Sequence, residues 1–282
     1  MTIHGQQQPY PGLASEMVPL PDHGEESYEG TGKLKDRAAI ITGGDSGIGK
    51  AVAIAFAREG ADVLISYLPQ EQTDADDTRR WIEAAGRRCV LLPGDLTDPA
   101  YCRSLVDEAV KVFGRLDIVV NNAAFQVWHE KFEDFTFEEW RHTFAVNVDA
   151  MFLICQAALP HLKAGASIIN TTSINSNHPV PMLVSYAATK AAIVNFTQST
   201  SVLLAPRGIR VNCVAPGPIW TPLVPATMPP EHIEGFAEGS PMGRPGQPAE
   251  LAATYVLLAS DQSGYTTGAR FVVAGGLPFL AG

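Results

Sequence analysis

Cysteine is scarce in this sequence: Cys89, Cys102, Cys155 and Cys213 are the four among 282 residues. They show no Cys-x-x-Cys spacing and sit in apolar segments, which argues against a disulfide or zinc framework and for buried free thiols. His, Cys and carboxylate residues show no ligand-like spacing, so no metal is expected. No apolar run approaches the ~20 residues of a membrane-crossing helix. Residues 1–10 are polar and Gln-rich, without the basic head and apolar run of a secretory leader, so a cytoplasmic protein is expected. Positive charge is also in deficit. Twenty Lys and Arg face 30 Asp and Glu, a formal net charge of -10. That balance argues against nucleic acid and acidic membranes as partners and leaves a small molecule.

What is present is apolar material, 46% of the residues, enough for a substantial core. Short apolar runs at residues 38–42, 62–67, 89–92, 116–120, 167–172, 210–214 and 269–273 read as strands, and helical patterns separate them. This alternation predicts an α/β fold of the Rossmann type, a doubly wound parallel sheet with helices on both faces. Residues 37–282 are read as one domain. Residues 1–36 form an irregular N-terminal arm, rich in Gln and Pro. Either it is a disordered tail, or Tyr10, Leu13, Met17, Val18, Leu20 and Tyr28 anchor it to the body or to a neighbouring subunit.

The first strand runs directly into Gly43-Gly-Asp-Ser-Gly-Ile-Gly49, and a helical pattern follows from Ala51. Gly43, Asp45, Ser46, Gly47, Ile48 and Gly49 thus form a strand-to-helix turn, where backbone can approach a pyrophosphate and the helix N-terminus offers free N–H groups. The second strand ends at Tyr67, beside the expected adenosine ribose. Neither Ser66 nor Tyr67 is charged, so the usual acidic marker for NAD and the basic marker for NADP are both missing there. A carboxylate at Asp45 would repel a 2′-phosphate, which favours NAD over NADP, although Lys50 lies close by in the sequence.

Later in the chain, Tyr186 and Lys190 stand four apart in an Ala-rich helical segment and so share a face. A nearby ammonium favours a phenolate and would draw the phenol toward neutral pH. Ser173, thirteen residues upstream at the end of an apolar run, could hold a carbonyl oxygen beside that phenol.

Together the glycine turn, Asn121-Asn-Ala-Ala124, Ser173, Tyr186 and Lys190 make the chain resemble the short-chain dehydrogenase/reductase family over roughly residues 35–276. The Pro216-Gly-Pro-Ile-Trp-Thr221 run and the N-terminal extension resemble one bacterial subgroup. The resemblance implies a catalytic tetrad of Asn147, Ser173, Tyr186 and Lys190, with Asn147 holding a water that links the lysine to solvent. It also implies that Asp95 and Leu96 contact adenine, although Asp95 could equally cap the next turn. Asn122 is expected to brace the sheet, with Ala123 bordering the cofactor. Ala124 replaces the family's usual glycine, at little cost if its φ is negative. Pro216, Gly217, Ile219 and Thr221 would grip the nicotinamide end.

The implied activity is NAD(P)-dependent interconversion of an alcohol with an aldehyde or ketone, in a homotetramer. A non-catalytic dinucleotide sensor on the same fold is the alternative. Substrate contacts are expected from Gln126, Trp128, Asn175, His178, Met182, Trp220 and residues of the 222–248 segment. The two tryptophans could instead be packing, and His178 a solvated bystander. A capping box at Thr136 and Glu139 opens a long helical pattern over residues 137–162, and residues 222–248 read as a mobile lid.

Overall fold

Seven strands pair in parallel in the order β3, β2, β1, β4, β5, β6, β7. The structure is a computed structural model and describes residues 3–277. The strands are β1 (Ala38–Thr42), β2 (Asp62–Tyr67), β3 (Cys89–Pro93), β4 (Ile118–Asn121), β5 (Ser167–Thr171), β6 (Arg210–Pro216) and β7 (Arg270–Val273). Between them run α1 (Gly47–Arg58), α2 (Gln72–Ala84), α3 (Pro99–Phe113), α4 (Phe137–Phe144), α5 (Ala150–Ala158), α6 (Val184–Leu204), α7 (Leu223–Thr227), α8 (Pro230–Ile233) and α9 (Ala249–Ala259). This is the Rossmann-type architecture expected from the alternating runs.

The pleat sorts alternate residues to opposite faces. Ala39, Ile41, Val63 and Ile65 pack with residues of α1 and α9, whereas Ala38, Ile40 and Leu64 pack with those of α3 and α5. Both faces are therefore covered. Every residue of β1, β2, β4, β5 and β6 is buried, which is why these strands read as continuous apolar runs rather than alternating ones. Strand order reverses between β1 and β4, which pair from Ala39 against Ile118 to Ile41 against Val120. Crossovers diverge from that point and leave a crevice beyond the carboxyl ends of the two strands. Among the described residues no helix is long and apolar enough to cross a membrane.

One helix differs from expectation. The pattern over residues 137–162 is not continuous: α4 passes into a π-helical turn, Ala145–Asp149, before α5. Asn147 lies in that turn, and its amide is fully engaged. Its Oδ1 accepts from Phe125 N at 2.7 Å, while its Nδ2 donates to Phe125 O at 2.9 Å and to Thr189 Oγ1 at 3.0 Å. The widened turn satisfies a polar side chain that an uninterrupted apolar helix would have stranded. The expected cap is present, with Thr136 Oγ1 accepting from Glu139 N at 3.1 Å and Glu139 bonding back.

From residue 3 the arm lies along the body. Ile3 and Met17 join Trp220, Val224 and Ile233 in a small apolar cluster. Glu59, fully buried, collects Tyr28 Oη at 2.7 Å, Thr31 N at 2.9 Å and Lys33 N at 2.8 Å. Burial raises the pKa of this carboxyl, but the bonds from Lys33, Tyr28 and Thr31 prevail and hold it below the ordinary glutamate value. Of the expected anchors, Tyr10, Val18 and Leu20 are instead exposed, Tyr10 only just so at 39%.

Candidate active site

A cavity of about 800 Å³ occupies the crevice, within the size range of small-molecule sites. At its base is the turn between β1 and α1. Here Gly43, Asp45, Ser46, Gly47 and Ile48 line the cavity. Gly49 lies behind them, so close to the first glycine that a Cβ would stand 1.8 Å from the Gly43 carbonyl oxygen. Ser46 occupies the N-cap position of α1 without a side-chain cap bond, which leaves first-turn amides and the positive helix end for an anion. Across the switch point, Thr42 Oγ1 accepts from Asn122 N at 2.9 Å and Ala123 N at 3.1 Å, while Asn122 Nδ2 donates to Thr42 O at 3.1 Å. Asn122, Ala123 and Ala124 line the adjoining wall. Ala124 is not among the residues with positive φ, so its methyl group is tolerated.

At another part of the wall stand Tyr67, Asp95, Leu96, Asp45 and Glu71. Tyr67 Oη donates to Gln72 Oε1 at 2.8 Å. Asp95 Oδ1 accepts from Thr97 N at 2.8 Å, so it caps its turn while bordering the cavity. Asp45 is buried, and its Oδ2 has no hydrogen-bond partner among the described residues. Burial above all, with Asp74 adding repulsion, pushes its carboxyl up to about 7. Glu71 is pushed up to about 8 by burial and then by Asp45. Lys50 is held elsewhere: its Nζ is 2.7 Å from Asp77 Oδ2 and 3.2 Å from Glu25 Oε1, and it does not line the cavity.

The start of α6 brings Tyr186 and Lys190 to the same cavity, and Ser173 reaches it from the end of β5. Ser173 Oγ accepts from Asn175 N at 3.1 Å, and Lys190 Nζ donates to Thr171 O at 2.9 Å while lying 5.1 Å from the centroid of the Tyr186 ring. The expected lowering of the phenol does not occur. Burial pushes Tyr186 up to about 12, against the hydrogen bond with Ser173, and burial pulls Lys190 down to about 7. Desolvation disfavours both charged forms. Asn147 sits behind this wall, bonded to Phe125 and Thr189 rather than opening on the cavity. Pro216, Gly217, Ile219 and Thr221 close the far side.

A family model described as enoyl-(acyl carrier protein) reductase matches residues 43–278. The chain is 53% identical over 272 residues to the uncharacterized oxidoreductase YghA of Escherichia coli, covering 96% of this chain and 92% of that one. It superposes on a short chain dehydrogenase from Burkholderia cenocepacia in complex with NADP, with TM-score 0.81 and 34% identity over 86% of this chain and 98% of that one. It also superposes on a 3-ketoacyl-(acyl-carrier-protein) reductase from Brucella melitensis complexed with NADH, with TM-score 0.78 and 32% identity over 86% and 98%. The chain belongs to the short-chain dehydrogenase/reductase family. As a short-chain dehydrogenase/reductase it is an oxidoreductase.

Within this short-chain dehydrogenase/reductase, the expected substrate residues divide. Gln126, Trp128 and Asn175 line the cavity. Gln126 Nε2 donates to Thr227 Oγ1 at 2.8 Å, Asn175 Oδ1 accepts from Val180 N at 2.7 Å, and the buried Trp128 Nε1 has no partner among the described residues. His178 is exposed and outside the lining; Met182 is half-buried and also outside it, its carbonyl accepting from His129 N at 3.1 Å. Trp220 is fully buried under the arm, its Nε1 donating to Pro19 O at 2.8 Å, and does not line the cavity. Residues not anticipated there include Tyr10 and His142, whereas His232 comes from the 222–248 segment. His232, beside Trp128 with ring centroids 4.6 Å apart, belongs to the Pro- and Gly-rich segment expected to reach the substrate.

Proposed function

We propose that this protein is an NAD(P)-dependent alcohol dehydrogenase or carbonyl reductase. The observation that carries the reading is the convergence of Ser173, Tyr186 and Lys190 on the cavity that the glycine turn opens into. The residues fit a dinucleotide. The uncapped N-terminus of α1 and the glycine pair too tight for a Cβ suit a pyrophosphate, and the orphaned Asp45 carboxylate suits a donor such as a ribose hydroxyl. Gly43, Ser46, Gly47 and Ile48 would hold the phosphates, Tyr67, Asp95 and Leu96 the adenosine, and Asn122 to Ala124 the middle. Pro216, Gly217, Ile219 and Thr221 would hold the nicotinamide end.

A bound nicotinamide supplies or accepts the hydride. The rest of the chemistry belongs to this chain. Tyr186, with its phenol pushed up to about 12, is protonated at neutral pH and donates to a carbonyl oxygen that is gaining charge. Ser173 Oγ, lining the same cavity as the phenol, orients the same oxygen. Lys190 sits at about 7, so it gains or loses its proton near neutrality and sets the charge beside the phenol. Asn147 positions the Phe125 backbone and α6, the helix that carries Tyr186. Gln126 and Asn175 are the polar groups offered to the substrate.

The cofactor preference follows from charge. Among the described residues lining the cavity there is no arginine and one lysine, Lys190, whereas Asp45, Glu71 and Asp95 are all present. With Lys50 already between Asp77 and Glu25, a 2′-phosphate would find no arginine or lysine to pair with among the described residues at the adenosine end of the cavity, so NAD is preferred over NADP. No feature favours a non-catalytic sensor. Homotetramer assembly is part of the same proposal, and sedimentation would test it. The activity is tested by steady-state oxidation of NADH and NADPH across a panel of aldehydes and ketones. Turnover with NADH as the better cofactor supports the reading; no turnover with any carbonyl or, in reverse, any alcohol would overturn it.

A further inference from the structure

The cavity wall is not made by the sheet and its helices alone, because Tyr10 and Pro11 of the arm line it as well. Their position is specified by bonds on both sides. Gln8 closes a loop: its Oε1 accepts from Leu13 N at 2.7 Å and its Nε2 donates to Leu13 O at 3.1 Å, which leaves Tyr10 and Pro11 at the tip. One flank is fastened next to α7. There Gln8 N donates to Pro225 O at 2.9 Å, and a Cβ at Gly12 would stand 2.9 Å from the Pro222 carbonyl oxygen. The other flank is fastened to α2, where Asp74 accepts from Ala14 N at 2.6 Å and from Ser15 N at 3.4 Å. The loop therefore spans from α7 to α2, across the mouth of the cavity.

At the tip the Tyr10 ring meets Phe125 edge-on, with centroids 5.0 Å apart. Its phenol is pushed up first by burial and then by the carboxylates of Glu71, Asp95 and Asp45. These are the acids of the end assigned above to adenosine. We propose that Tyr10 and Pro11 are nucleotide-binding residues that form the outer wall of the adenosine end, so that the arm is part of the dinucleotide site. The inference rests on the dinucleotide reading. A phenol held above its ordinary value keeps its proton and offers a hydroxyl donor to the nucleotide. Its ring and the proline offer apolar surface to a purine face.

The test uses the full chain and two probes, ADP for the adenosine half and nicotinamide mononucleotide for the other. Affinities are measured for the native protein, for Tyr10→Ala and for Leu20→Ala, an arm position that is 64% exposed and away from the cavity. ADP should bind Tyr10→Ala roughly ten-fold more weakly, Leu20→Ala as the native protein does, and nicotinamide mononucleotide equally to all three. Hydrogen–deuterium exchange on the native protein gives a second readout that needs no variant. ADP should slow exchange across residues 8–15, and nicotinamide mononucleotide should not. If ADP binds but its affinity is indifferent to Tyr10→Ala and exchange in the arm is unchanged, the arm assignment is overturned while the dinucleotide reading stands. Failure of the native protein to bind either probe overturns both.

Discussion

Lys190 Nζ lies 5.1 Å from the centroid of the Tyr186 ring, yet its hydrogen bond goes to the Thr171 carbonyl oxygen. The ammonium is buried without a carboxylate partner among the described residues, and burial pulls it from 10.5 to about 7. A lysine with a lowered folded value binds fewer protons in the native state than in the unfolded chain between those two values. Its burial therefore costs stability most fully below about pH 7, and the cost fades as pH rises toward 10.5. Lys190→Met should raise the melting temperature of the cofactor-free protein at pH 7 while abolishing turnover. The gain should shrink between pH 7 and 10. Scanning fluorimetry across that range checks it, and a variant less stable than the native protein at pH 7 would contradict it.

Asp45 carries the opposite sign. Its carboxyl is raised from 3.8 to about 7, so the native state binds more protons than the unfolded chain across that window. The associated stability is present below about pH 4 and lost as pH rises through 7. Asp45→Asn should melt higher than the native protein at pH 8 and show little difference at pH 4. The same change should raise the affinity for NADP relative to NAD roughly ten-fold, since a like-charge clash is removed. Parallel binding titrations with both dinucleotides measure that ratio.

Trp220 is fully buried beside Met17 and Ile3 and bonds to Pro19. Trp220→Ala should cost about 3–5 kcal/mol in chemical unfolding, as expected for emptying a large aromatic site. Trp220→Phe should lose less, because most of the packing remains. Equal losses for the two would place the weight on the hydrogen bond instead.

Asn147→Ala removes the partner of both the Phe125 amide and its carbonyl. A cost of about 2–4 kcal/mol is expected from two stranded backbone groups, read as a lower urea midpoint. The fall in turnover should exceed the change in dinucleotide affinity. Stability equal to that of the native protein would show that the π turn does not depend on this side chain.

Much of the fold was legible because strands buried on both faces read as unbroken apolar runs, and Gly43 to Gly49 fell where a strand gives way to a helix. Ser173, Tyr186 and Lys190 could be placed together because two share a helix face and the third ends the preceding strand. The π turn was not legible, since the groups that satisfy Asn147 are Phe125 and Thr189, far away in sequence. Trp220 and His178 follow the same logic: whether a loop side chain meets a cavity, an arm or solvent is decided by tertiary packing. The direction of the Tyr186 shift is set by burial. Spacing along a helix shows the charge and not the burial.

The most direct test is Tyr186→Phe, which removes one hydroxyl and keeps the ring. Reduction of an accepted aldehyde or ketone should fall by about 10³-fold or more, while NADH binds with unchanged affinity and the protein melts at a similar temperature. Turnover within a few-fold of the native enzyme would show that the phenol does not supply the proton.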